Sequence, residues 1–222
     1  MGGILKFTPL NERLFHYVCN CSGDSRDAVL ERLRAETAQL GEIAFMQIGP
    51  DQGAFMTLLV AAIGAKDAIE VGTFTGYSSI CIARGLPANG KLLCLDSSAE
   101  WTAIAQKYWA LAKVKQKIEL RLAPAIESLK NLEKNRRFDF AFIDAHKPEY
   151  DDYYELVLPR MRQNGLILFD NMLWGGRLGH NKPIKNPHGK AIDALNQKLS
   201  RDKRVESVLL SIGDGLQVCR VK

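Results

Sequence analysis

Four acidic residues lie at or just beyond the carboxyl ends of short apolar segments: Glu70, Asp96, Asp144 and Asp170. In an open parallel sheet, ligands bind outside the carboxyl ends of the strands. A single acid after a strand is often only a helix cap or a turn residue. Four such acids in one chain favour a ligand site at this edge of the sheet.

Two of these segments end in oxygen donors that suit a hard divalent cation. Asp144 ends one segment, and Asp170 ends another and is followed directly by Asn171. Carboxylate and amide oxygens select Mg²⁺, Mn²⁺ or Ca²⁺ rather than zinc. Lys147 is a candidate general base if burial and a nearby cation favour its neutral form. The alternatives are a turn dipeptide at Asp170-Asn171 and a solvated loop charge at Lys147.

A glycine-bracketed turn, from Gly72 to Gly76, connects an apolar segment to a helical pattern. Its spacing, G-x-x-x-G, differs from the dinucleotide fingerprint G-x-G-x-x-G, which argues against an NAD-dependent oxidoreductase. The glycines allow close approach of the backbone, and the helix that follows offers free N–H groups to an anion. Asp96 is placed to accept the hydroxyls of a ribose. Alternatively it caps the next helix, a role that the following serines can also fill.

Strands and helices alternate along most of the chain and would position these residues. Strands are predicted at 68–71, 91–96, 118–122, 138–144 and 166–170, and helices near 77–85, 99–113, 124–134 and 149–162. This alternation predicts an α/β fold with a doubly wound, mostly parallel, Rossmann-like sheet. After a helix near 189–200, strands at 205–212 and 216–221 flank Gly213-Asp214-Gly215. They predict a C-terminal antiparallel hairpin, which makes the sheet seven-stranded.

The N-terminal part of the chain differs from the rest. Residues 1–50 show helical patterns without a strand, so we expect a helical extension that packs on a core domain of residues 51–222. Asp24 is the predicted N-cap of one helix in this extension.

Composition narrows the class of protein. A chain of 222 residues with 46% hydrophobic and 25% charged residues is typical of a soluble globular protein. We find no run of membrane-spanning length and no secretion signal, so we expect a cytoplasmic protein without a membrane partner. A net charge of +5 permits an anionic substrate and gives no reason to expect DNA binding. Cys81, Cys94 and Cys219 are predicted core thiols, and Cys19 and Cys21 lack the spacing of a zinc site.

Four motifs occur in an order and spacing that resemble a known family. They are EVGTFTGYS at 70–78, FIDAHK at 142–147, DNMLW at 170–174 and IGDGL at 212–216. From about Met46 to the C-terminus, the chain resembles the cation-dependent O-methyltransferases in their bacterial branch. This is the family of catechol and caffeoyl-CoA O-methyltransferases. The first forty residues carry little of the resemblance.

The resemblance implies a class I methyltransferase fold, a homodimer and S-adenosylmethionine as methyl donor, with S-adenosylhomocysteine (SAH) as product. It assigns Mg²⁺, or Mn²⁺ or Ca²⁺, to Asp144, Asp170 and Asn171, and it assigns catalysis to Lys147 as base with Asp144. Residues implied at the cofactor are Met46, Glu70, Gly72, Thr73, Ser78, Asp96, Ala125, Asp144 and His146. Met46 is alternatively an ordinary core residue.

Two departures from the family pattern bear on the site, one at the cofactor and one at the acceptor. His146 stands where the family often has an aspartate that contacts the cofactor, although catechol-methylating relatives have a histidine one position earlier. We expect His146 to hydrogen-bond within its loop rather than to bind metal. After Trp174, Gly175-Gly176 replaces a polar residue that plant relatives use on their substrate. The identity of the acceptor is therefore not carried over.

The predicted acceptor is a small catechol-like phenol, lined by Trp174, Tyr150 and Tyr153, although these aromatics are also plausible core residues. The alternative acceptor is a hydroxylated uridine in tRNA, because the basic loop at 177–190 lies beside the predicted site. That loop is alternatively a solvated lid. A more remote alternative is a non-catalytic protein that binds S-adenosylmethionine.

Overall fold

A seven-stranded sheet in the order β3-β2-β1-β4-β5-β7-β6 forms the centre of the computed structural model, which describes residues 7–22, 27–179 and 183–222. Strands β1 to β5 are parallel, and β7 runs antiparallel to both β5 and β6. The predicted mostly parallel sheet with a C-terminal hairpin is confirmed. The strands are β1 (Asp67–Val71), β2 (Lys91–Asp96), β3 (Ile118–Leu122), β4 (Phe138–Ile143), β5 (Met161–Phe169), β6 (Val205–Leu210) and β7 (Leu216–Val221).

Helices cover both faces of this sheet. In the described ranges they are α1 (Glu12–Asn20), α2 (Ala28–Ala38), α3 (Pro50–Ala62), α4 (Tyr77–Gly85), α5 (Ala99–Leu111), α6 (Ala125–Lys130), α7 (Tyr150–Val157) and α8 (Pro187–Leu199). Successive residues of a strand face opposite sides, so each buried strand contributes to two cores. Ala68 packs with α2 to α5, whereas Ile69 packs with α6 to α8. None of these helices is long and apolar enough to cross a membrane.

The helix predicted at 149–162 is shorter in the structure. α7 ends at Val157, and β5 begins at Met161, earlier than predicted. Pro159 contributes to the change, because proline has no N–H with which to continue the α-helical hydrogen bonds, and a single 3-10 turn (Leu158–Arg160) follows α7. The early part of β5 pairs irregularly with β4. Other bounds agree more closely, although α6 and β6 end at Lys130 and Leu210, before their predicted ends.

The three cysteines predicted as core thiols, Cys81, Cys94 and Cys219, are buried. Cys19 is also buried, Cys21 is exposed, and all five are free thiols.

The second helix has a side-chain N-cap. Asp27 accepts hydrogen bonds from the backbone N–H groups of Val29 and Leu30, and α2 starts directly after it. The predicted cap, Asp24, lies outside the described residues.

A buried polar contact joins α2 to the glycine turn that follows β1. Thr37 Oγ1 donates to Thr75 Oγ1 at 2.9 Å. Gln47 Nε2 donates to the same two hydroxyls, at 3.0 Å and 3.2 Å. Both threonines are at most 1% exposed. Residues assigned to the N-terminal extension therefore support the turn, and the division of the chain at residue 50 remains a prediction.

We predict that Thr37→Val lowers the free energy of unfolding by about 1–2 kcal/mol, because two buried hydrogen-bonding groups lose a partner. The variant should also bind S-adenosylmethionine, the expected cofactor, more weakly than the wild type, since Thr75 belongs to the turn. Urea denaturation and cofactor titration measure the two effects.

Thr57→Val is a matched control. Thr57 Oγ1 donates to the backbone oxygens of Gly53 and Cys81, which join α3 to α4 away from the turn. This variant should lose similar stability and keep wild-type cofactor affinity. Equal cofactor affinities for both variants and the wild type would contradict the prediction.

Candidate active site

The carboxyl ends of β1, β2 and β4 and the segment after β5 open on one cavity of about 1030 Å³. Its walls include residues 45–48, 72–78, 95–97, 124–125 and 144–147. A second depression, of about 380 Å³, is lined by Gln197, Lys198, Arg201 and Asp202 and contains none of the predicted site residues. The larger cavity is therefore the candidate active site.

The glycine turn and the end of β4 are in direct contact. Gly72 has a φ of +91°, and a Cβ at this position would lie 2.0 Å from the backbone oxygen of Asp144. The Asp144 N–H donates to the Val71 carbonyl at 2.8 Å. Only glycine fits this contact, which brings the predicted cofactor turn and the predicted metal ligands to the same cavity.

Asp96 closes the glycine turn from the neighbouring strand. Its Oδ2 accepts the N–H groups of Thr73 and Phe74, each at 2.9 Å, and its Oδ1 accepts that of Ser98 at 2.8 Å. The N-cap of α5 is Ser98, so the capping role considered for Asp96 belongs to the serine. Asp96 lies on the cavity wall, next to an edge-to-face pair of Phe74 and Trp101 with centroids 5.1 Å apart.

Glu70 is buried beneath the turn and is not on the cavity wall. Its Oε2 accepts from Cys94 Sγ at 3.3 Å, whereas its Oε1 and the buried Thr73 Oγ1 have no hydrogen-bond partner among the described residues. Burial raises the pKa of the Glu70 carboxyl to about 8, although Ser78 and Cys94 oppose the rise. Unpartnered buried oxygens beside the cavity fit a bound ammonium group, as the resemblance implies for the amino acid part of S-adenosylmethionine.

The predicted metal ligands follow two neighbouring strands. Asp170 is 4% exposed, and its Oδ1 accepts the Asn171 N–H at 2.7 Å. Burial and the negative charge of Asp144 raise the pKa of the Asp170 carboxyl to about 7. Lys147 Nζ lies 2.6 Å from Asp144 Oδ1. Two carboxylates that interact through a poorly solvated region, with one ammonium beside them, leave a negative charge that a cation would compensate.

These donors fit a hard divalent cation by their chemistry, since all are carboxylate or amide oxygens. In the described parts of the chain, no group of three or more His, Cys, Asp or Glu side chains could hold a metal ion. The predicted set contains only two residues of those types, Asp144 and Asp170, and its third member is Asn171. The assignment of a metal to this set remains a prediction.

Aromatic rings form the wall beyond Lys147. The rings of Trp174 and His188 are stacked with centroids 5.9 Å apart, and those of His146 and His188 are perpendicular at 5.4 Å. The Tyr153 hydroxyl donates to Glu149 Oε2. His146 Nδ1 lies 3.9 Å from Glu149 Oε1, which is too long for a hydrogen bond, so the expected hydrogen bond of this histidine within its loop remains a prediction.

Tyr150 does not line the cavity, in contrast to its predicted contact with the acceptor. It is fully buried, and its hydroxyl donates to the backbone oxygen of Asp170 at 3.3 Å. The apolar face of α7 turns its ring towards Phe169, with centroids 5.9 Å apart. Lys147 Nζ lies 5.0 Å from the centre of the same ring. Tyr150 therefore contacts two predicted site residues, Asp170 and Lys147, from the core of the protein.

Most of the predicted site residues share the cavity wall: Met46, Gly72, Thr73, Ser78, Asp96, Ala125, Asp144, His146, Lys147, Tyr153, Asn171 and Trp174. Three others, Glu70, Asp170 and Tyr150, are buried outside this wall. Arg177 and His188 also lie on the wall and belong to the basic loop at 177–190 that is predicted to lie beside the site, whereas the wall residues without a predicted role include Phe45, Gln47, Phe74, Trp101, Glu149 and Asp214. Of these, Asp214 had a sequence signal, which indicated only a hairpin turn.

Comparison with known proteins shows what this chain is similar to. A family model described as O-methyltransferase matches residues 20–222. A Dictyostelium discoideum protein named "Probable caffeoyl-CoA O-methyltransferase 2" is 38% identical over 210 residues, covering 93% of this chain and 90% of the relative. Caffeoyl-CoA O-methyltransferase 2 of Zea mays is 35% identical over 220 residues, covering 95% and 83%. The crystal structure of the O-methyltransferase from Bacillus cereus in complex with SAH has a TM-score of 0.85 and 30% identity, covering 95% and 97%.

We predict that Glu70→Gln changes the pH dependence of stability in the cofactor-free protein. The folded protein holds the Glu70 proton up to about pH 8, whereas the unfolded chain releases it near the ordinary pKa of 4.5. Wild-type stability should therefore fall as the pH rises from about 4.5 to about 8, and Glu70→Gln should remove this contribution. Thermal melting points across this range measure the slope.

Glu206→Gln is the control, because Glu206 is exposed and pairs with Arg220 away from the cavity. It should keep the wild-type slope. A Glu70→Gln slope equal to that of the wild type would show that Glu70 ionises normally in the folded protein.

Proposed function

The chain belongs to the O-methyltransferase family, and on that premise we propose that it transfers a methyl group from S-adenosylmethionine to a catechol-like phenolic hydroxyl of a small molecule, with a divalent cation. The observation that carries this proposal is that one cavity opens on both the Gly72 turn and the Asp144–Lys147 pair. The SAH in the Bacillus cereus structure supports the methyl donor. The names of the curated relatives support a phenolic acceptor.

The cofactor side of the cavity offers groups of the required chemistry. The unpartnered oxygens of Glu70 and Thr73 would accept the ammonium group, and Ser78 would donate to the carboxylate. Asp96 would accept the ribose hydroxyls with the lone pairs that the turn leaves free, since a carboxylate can accept about four hydrogen bonds. Phe74 and Trp101 provide apolar surface beside it.

On the acceptor side, Asp144, Asp170 and Asn171 would hold the cation. When bound, the methyl donor supplies an electrophilic methyl group, and the cation supplies Lewis-acid stabilisation of acceptor oxygens. A catechol would suit this site because its two adjacent oxygens are hard donors of the kind that such a cation prefers.

Lys147 is the proposed general base. It would take the proton of the acceptor hydroxyl at Nζ, and Asp144 holds that nitrogen in place at 2.6 Å. Tyr150 packs beside Lys147 and limits its movement. The Trp174 and His188 rings would confine a flat acceptor, so that its oxygen and the methyl group are aligned before reaction.

We predict that the wild-type protein methylates members of a catechol panel, and that EDTA abolishes the reaction. Asp170→Ala should lower the rate on the order of 10³-fold, because a ligand of the cation is lost. Transfer of a radiolabelled methyl group measures the reaction, with bulk tRNA as a parallel acceptor. Full activity of Asp170→Ala, in EDTA or without it, would defeat the metal assignment, and transfer confined to tRNA would defeat the small phenolic acceptor.

We predict that Lys147→Met lowers kcat by about 10²- to 10⁴-fold, as expected for a lost general base. Its rate should rise steeply with pH towards the pKa of a free phenol, near 10, because the acceptor then ionises without help. The exposed Lys190→Met is the control and should keep the wild-type pH–rate profile. Parallel pH profiles for Lys147→Met and the wild type would rule out Lys147 as the base.

A further inference from the structure

The segment after β5 carries both Asn171 and Trp174 to the cavity in an unusual backbone conformation. The two residues have φ values of +61° and +50°, in the left-handed region that residues other than glycine rarely adopt. Such a conformation persists only where surrounding contacts hold it. Among the described residues, those contacts come largely from one turn, at 213–215.

Asp214 and Gly215 hold this segment through three hydrogen bonds. The Met172 N–H donates to the Gly215 carbonyl, and the Leu173 N–H donates to the Asp214 carbonyl, each at 2.9 Å. The Gly175 N–H donates to the Asp214 carboxylate Oδ1 at 2.5 Å. Asp214 therefore binds the backbone on both sides of Trp174, with its main-chain oxygen before that residue and its side chain after it.

The contact is too close for a side chain at position 215. A Cβ there would lie 2.5 Å from the Leu173 backbone nitrogen, and Gly215 has a φ of +91°. The turn and the segment thus fit backbone to backbone. Asn196 Nδ2 donates to the Met172 carbonyl at 2.9 Å from the opposite side, which fixes the start of the segment from α8.

We propose that Asp214 is a positioning residue for the proposed methyl transfer: it holds the segment Asn171–Gly175 so that Asn171 and Trp174 face the cavity. The contribution of Asp214 to methyl transfer rests on the proposed function. Its support of the segment does not depend on that function. Asp214 acts on the backbone of the segment, and the side chains that meet the cation and the acceptor belong to its neighbours.

The test uses Asp214→Ala, Asp214→Asn and the control Asp139→Ala in the full-length protein. Asp214→Ala removes the side-chain bond to Gly175 and keeps the main-chain bond to Leu173. The Asp139 carboxylate likewise accepts backbone N–H groups, those of Lys66 and Asp67, but at the amino ends of the strands. Asn keeps one side-chain oxygen as acceptor, so Asp214→Asn should largely restore the wild-type behaviour. Asp139→Ala shows how a loss of stability elsewhere in the fold affects the same two measurements.

The first readout needs no activity. Acrylamide quenching of tryptophan fluorescence is measured in the metal-free and cofactor-free protein. Subtracting the fluorescence of the same protein with Trp174→Phe gives the part that comes from Trp174. Asp214→Ala should increase this quenching, because Trp174 loses its support, and Asp139→Ala should not.

The second readout is Mn²⁺ binding, which Asp214→Ala should weaken by about 10- to 100-fold, as for other residues that orient metal ligands. The affinity for S-adenosylmethionine should stay within about twofold, since the Gly72 turn is untouched.

Wild-type quenching of Trp174 in Asp214→Ala would overturn the proposal, as would equal changes in Asp139→Ala. If the wild-type protein methylates no catechol, but Asp214→Ala still exposes Trp174 selectively, the proposed function fails and the positioning role stands. If the wild type does not bind Mn²⁺, the cation assignment fails and the Trp174 readout decides alone.

Discussion

The site depends on the contact between Gly72 and the backbone of Asp144. This contact exists because β1 and β4 are neighbours in the sheet, although two other strands separate them in the chain. The strand order reverses between them, which is where open α/β sheets form their ligand crevice. The glycine turn and Asp96 therefore lie on one side of the contact, and Asp170 with its following segment lies on the other.

Two carboxyl groups near this contact are buried for reasons that the apolar cores do not explain. Glu70 and Asp170 both have raised pKa values, chiefly because burial disfavours their charged forms. Replacing either with an apolar residue of similar size would remove the cost of desolvation. Both carboxyl groups lie behind the cavity wall, and bound groups of positive charge would compensate their negative charge. The fold thus tolerates local instability where its proposed ligands bind.

The sequence predicts β2, β3 and α4 closely: β2 follows Gly90 and ends at Asp96, β3 alternates apolar and charged residues, and α4 begins after Gly76 and ends at Gly85. It predicts less of the acceptor wall, where the contacts are between distant segments. His188 meets Trp174 only in the folded chain, and no local pattern indicates that pair. Tyr150 and Tyr153 have the same residue type, but the helical phase of α7 buries Tyr150 fully and leaves Tyr153 at the cavity. Residue type alone cannot make that distinction.

The hydrogen bonds of Asp96 to three backbone N–H groups have a consequence for binding thermodynamics. They order the glycine turn in the absence of any ligand. The loss of conformational entropy at this turn therefore occurs during folding and does not reduce the affinity when a ligand binds. In the proposed function, Asp96 would also accept the sugar hydroxyls, so that one side chain would couple two distant ends of its ligand.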